Sequence, residues 1–78
     1  MEVILKLKDP AYGNNKDAWS LIWISLDPGS ARKGWTEANI QKDLANGEIR
    51  IPFPDDKEGK KFVKALVDRG GLSIYIIE

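Results

Sequence analysis

The chain has 78 residues, 42% of them hydrophobic and 31% charged, with twelve basic against twelve acidic side chains and neither cysteine nor histidine. That length and balance fit one domain spanning 1–78 and leave almost no room for a second, and zero net charge points neither to a strongly basic nucleic-acid binder nor to an acidic mimic. The missing residue types remove disulfides, thiolate catalysis, the commonest general base near neutral pH and the usual zinc sites.

Residues 2–8 alternate, with Val3, Leu5 and Leu7 on one face and Glu2, Ile4, Lys6 and Lys8 on the other, which predicts a half-solvated first strand. Asp9-Pro10 and Gly13-Asn14-Asn15 carry turn chemistry, so a loop is expected up to Ala18. Residues 18–26 are rich in aromatic and β-branched side chains. Trp19, Leu21 and Trp23 stand against Ile22, Ile24 and Leu26, so both faces are apolar and a central strand is expected. Asp27-Pro28-Gly29-Ser30 ends it, and Arg32-Lys33 falls in the following loop.

Thr36 is a good N-cap for a helix over 37–46, with Trp35 and Ile40 placed to form a hydrophobic staple. Ala38, Ile40, Leu44 and Ala45 give it a narrow apolar stripe, and Gly47 suits the left-handed stop. Ile49, Ile51 and Phe53 alternate with Arg50 and Pro52, and Pro52 and Pro54 confine this strand to an edge or a strand end. Asp55 and Glu58 have capping-box spacing for a second helix reaching Arg69. It presents Phe62, Val63, Leu66 and Val67 inward and Lys57, Lys60, Lys61 and Lys64 outward, with Gly59 costing about 1 kcal/mol relative to Ala. Gly70-Gly71 stops it, and residues 72–77, apolar on both faces, read as a strand that is internal or covered.

The expected order is therefore β-β-α-β-α-β. It implies an α/β (α+β) two-layer sandwich, with a mixed four-stranded sheet and two helices on one face. The strand-helix-strand stretch over 49–77 should be a right-handed crossover between parallel strands if both lie in one sheet. The amino terminus lacks the basic flank, apolar core and cleavage site of a secretory leader, and the longest apolar runs, 21–24 and 74–77, are far shorter than the roughly 20 residues that span a bilayer. With no cysteine, a reducing cytoplasmic setting is expected and no membrane partner.

The four serines lie outside any Gly-x-Ser-x-Gly elbow, and the run Asp27 to Gly34 lacks the spacing of a phosphate-binding loop. Asp55, Asp56 and Glu58 can in principle hold a cation, but helix capping accounts for them. No enzyme activity, cofactor or metal is expected. Lys57, Lys60, Lys61 and Lys64 form a basic ridge that, with Trp19 and Trp23 as a stacking platform, carries a nucleic-acid-binding alternative.

Protein binding needs the least special chemistry. Tyr12, Arg32, Lys33 and Trp35 are candidate anchors, because Tyr, Trp and Arg dominate interface hot spots, and Asp55, Asp56 and Glu58 suit a partner's basic groove. An exposed edge at 72–77 or 3–7 would allow a homodimer instead of a monomer. The expected function is a non-enzymatic module that occupies a surface of a protein or protein complex. Small phage-encoded inhibitors of host defence complexes, the anti-CRISPR type, share that profile at the level of class.

Overall fold

A computed structural model describes residues 1–26, 32 and 34–78. Strand β1 (Glu2–Leu7) leads into a 3-10 helix over Pro10–Asn14, then helices α1 (Lys16–Ser25) and α2 (Glu37–Leu44), strand β2 (Glu48–Pro52), helix α3 (Asp56–Asp68), a 3-10 turn over Gly71–Ser73 and strand β3 (Tyr75–Ile77). The expected four-stranded mixed sheet with two helices is thus corrected. Among the described residues there are three strands in the order β2-β1-β3, all neighbours antiparallel, and three α-helices in an α+β domain.

The largest correction falls on residues 18–26, which form most of α1 instead of a strand. Asn15 accepts the amide of Asp17 at 2.8 Å and caps the helix, and Asp17 places a charge at the positive end of its dipole. Ala18, Ile22, Ser25 and Leu26 are buried, a helical spacing, while Ile24 is 49% exposed. Strand alternation would have put Ile22, Ile24 and Leu26 on one face. Ser25 resolves its own burial by donating to the Leu21 carbonyl at 2.7 Å.

β1 lies at the centre of the sheet, with Leu5 paired to Ile49 on one side and Ile77 on the other. Residues 3–7 are therefore not an edge. β2 and β3 both oppose β1 and so share a direction, with β1 between them. Residues 72–77 are not an internal strand either: Gly71–Ser73 turns as a 3-10 helix, only Tyr75–Ile77 pairs, and Ile76 is 48% exposed.

Pairing partners share a face. Val3, Leu5, Ile49, Ile51, Phe53 and Tyr75 point into one core with Ala18, Ile22 and Leu26, Ile40 and Leu44, and Phe62 and Leu66. All three helices thus cover one face, and Glu2, Ile4, Lys6, Glu48, Arg50, Pro52 and Ile76 occupy the other. Thr36 and Asp55 cap α2 and α3 as their spacing predicts, accepting from Asn39 at 3.1 Å and Glu58 at 2.8 Å. Gly47 takes φ +89° just beyond α2. Ala38, Ala45 and Val67, expected to face inward, are exposed instead.

Candidate functional site

Arg32 ties itself to the end of α1 in two ways. Its Nε donates to the Trp23 carbonyl at 3.1 Å, and its guanidinium lies 4.3 Å from the centroid of the Trp23 ring. That carbonyl, which also accepts the Leu26 amide at 3.3 Å, belongs to the last turn of α1, where the negative end of the helix dipole favours a cation. The stack adds a cation–π contact of roughly 0.5–2 kcal/mol. The amide of Trp35 in turn donates to the Arg32 carbonyl at 2.8 Å across Gly34, whose φ of +88° permits the reversal.

Trp23, Arg32 and Trp35 are all half-buried, with both indoles packed partly on the core. Each therefore keeps an accessible part while its position is fixed from beneath. Trp19, one helical turn before Trp23, is also half-buried, and its indole N–H is enclosed without an acceptor among the described residues. Trp19 and Trp23, expected as a stacking platform on a strand, thus lie one turn apart on α1.

Among the described residues, no hydrogen bond, ion pair or ring contact links the other candidates to this group. Tyr12 sits half-buried in the 3-10 helix, whose Gly13 lies against the Leu44 carbonyl near the Leu7–Gly47 end of the sheet. Asp55, Asp56 and Glu58 follow Phe53, which pairs with Met1 at the opposite end, about 20 Å away along β1. Asp55 is the N-cap of α3, and Asp56 and Glu58 occupy its first turn. Lys33 lies outside the described residues. Lys57, Lys60, Lys61 and Lys64 are all exposed on α3, in company with the exposed Asp56 and Asp68.

The uncovered face of the sheet, which sequence reasoning did not single out, carries a cross-strand ion network. Lys6 meets Glu78 at 3.2 Å and Glu48 at 4.0 Å, while Arg50 meets Glu48 at 3.1 Å and Glu2 at 3.8 Å. The hydrogen bond that Arg50 donates to Glu48, and then the Glu48 charge, raise the Arg50 pKa above its ordinary value. The signal was present in the alternation of residues 2–6 and 48–52, but only the register brings the two sets together.

Among the described residues no group of three or more acidic, histidine or cysteine side chains is placed to hold a metal ion, and no helix is long and apolar enough to cross a membrane. Compared with protein-family models, curated proteins and solved structures, the chain matches none of them.

Proposed function

We propose that the domain is a non-enzymatic protein-binding module that acts by occupying a surface of a protein or protein complex, with Trp23, Arg32 and Trp35 as its anchors. The observation that carries this reading is the Arg32 guanidinium held over Trp23 while the Arg32 carbonyl holds Trp35. Two tryptophans and an arginine, the residue types richest in interface hot spots, are partly accessible and already held by contacts within the chain, so little side-chain freedom remains to be lost on binding. Occlusion by a small rigid domain is also how phage-encoded inhibitors of defence complexes work as a class, and the proposal extends to that type by analogy of size and mode.

The test is recovery of partners on tagged protein with and without nuclease, followed by affinity measurement on the recovered protein. A stoichiometric protein that survives nuclease is expected, and Trp35→Ala or Arg32→Ala should weaken its binding by about 2 kcal/mol, roughly 30-fold. Trp35→Phe, which retains most of the packing, separates lost contact from lost folding. Recovery that collapses with nuclease would refute the reading and move attention to Lys57, Lys60, Lys61 and Lys64, whose contribution then appears as a salt-dependent affinity.

A further inference from the structure

β2 forms one edge of the sheet, and its hydrogen-bonding phase decides which residues face outward. Met1 and Phe53 exchange main-chain bonds, and the Leu7 amide donates to the Gly47 carbonyl. Ile49 and Ile51 therefore turn their N–H and C=O groups toward β1, whereas Glu48 and Arg50 turn theirs away from it. Pro52 follows in the same phase as Arg50 but has no N–H to offer. The usable edge consists of Glu48 and Arg50.

We propose that two copies of this chain pair antiparallel along β2, about a two-fold axis at Ile49, and so extend the sheet to six strands. In this register Glu48 of one copy stands opposite Arg50 of the other, and the arrangement occurs twice by symmetry. Each such pair exchanges two main-chain hydrogen bonds, and its side chains lie side by side on the uncovered face. The adjacent symmetric registers are worse. An axis at Glu48 sets Glu48 against Glu48, and an axis at Arg50 sets Arg50 against Arg50 with Pro52 lacking a donor opposite Glu48.

Like charges directly opposite destabilise a strand pair. The charge order along β2 thus admits one partner register and rejects its neighbours, which a merely protective charged edge would not need to do. Glu48 and Arg50 are well placed for this, with 34% and 59% of their side chains exposed. Pairing of two five-residue strands buries much less than the roughly 1,200–2,000 Å² of a stable complex. The dimer is accordingly weak and appears at high concentration.

Sedimentation equilibrium on the full chain, from about 10 µM to about 1 mM, reads the association directly. The native chain should move toward twice its mass at the upper end. Glu48→Arg and Arg50→Glu, each of which places like charges opposite one another, should each weaken association about tenfold or more, and the two changes combined should restore it. Circular dichroism establishes that each variant is folded. A native chain that stays monomeric throughout, single variants that dimerise normally, or a folded double exchange that remains monomeric would each overturn the proposal. Amide exchange requires no variant at all: protection at Glu48 and Arg50 should rise with concentration, and protection that stays flat overturns it equally.

Discussion

The hydroxyl of Tyr75 donates to the main-chain carbonyl of Ala18, a buried hydrogen bond between residues 57 positions apart that joins β3 to α1. β3 is only three residues long, so this bond and the Tyr75 ring hold an element that its own ladder would hold poorly. Tyr75→Phe keeps the ring and removes the donor. It should cost about 1–2 kcal/mol, measured as a lower midpoint in urea with an unchanged slope.

Burial also raises the Tyr75 pKa well above that of a free phenol. The unfolded chain releases this proton near pH 10, whereas the folded chain retains it, so the stability tied to Tyr75 is fully present below that pH and falls as pH rises beyond it. Denaturation midpoints between pH 8 and about 11 should show this decline, and Tyr75→Phe should flatten it. An equally steep decline in the variant would assign the effect to other groups.

Two glycines should respond in opposite directions to alanine. At Gly59 an added Cβ overlaps only the Sδ end of Met1, a flexible side chain that is itself 45% exposed. Met1 can swing aside, so Gly59→Ala should gain a large part of the roughly 1 kcal/mol of helix propensity. At Gly71 the same Cβ would stand 2.8 Å from the Leu66 carbonyl and 2.7 Å from Leu66 Cγ, neither of which is free to move. Gly71→Ala should lose about 1–3 kcal/mol, and thermal melts of the two variants side by side would show the contrast.

Arg32→Ala removes a donor, a cation and a ring contact from the last turn of α1. The expected loss is about 1–2 kcal/mol, accompanied by a shift in tryptophan fluorescence as Trp23 gains water. Arg32→Lys keeps the charge but neither the planar stack nor the Nε bond, and should recover less than half of the loss. Complete recovery by lysine would show that the dipole alone matters.

Parts of this architecture were legible because local chemistry and tertiary packing agree. The alternation of β1, the caps Thr36 and Asp55, the stop at Gly47 and the edge position of β2 all follow from neighbours in sequence. Residues 18–26 defeated the reading for a physical reason. With Trp19, Leu21 and Trp23 packing partly on the core beside Ala18 and Ile22, α1 is apolar around most of its circumference, and its tryptophans and isoleucines carry strand propensity. The discriminating signal was Asn15 with Asp17, an N-cap that also reads as turn chemistry. Arg32 and Trp35 were identifiable as anchor types, but their union with Trp23 exists only because α1 is a helix that ends where Arg32 can reach it. Glu48 and Arg50 were invisible as an edge pair, since hydrogen-bonding phase is a property of the register and not of the strand alone.

The central place of β1 also bears on how the chain comes to be folded. It precedes both of its partner strands in the chain, yet its contacts reach across 52 positions at Met1 and Phe53 and across 72 at Lys6 and Glu78. Such distant closures are slow compared with helix formation. Until they occur, Val3, Ile4 and Leu5 present an apolar segment with two open sides, the kind of template on which nascent chains aggregate. Lys6 and Lys8 interrupt that segment with charge from the outset. The lysine that bridges Glu48 and Glu78 in the folded sheet is thus also the charge that bounds this apolar segment in the unfolded chain.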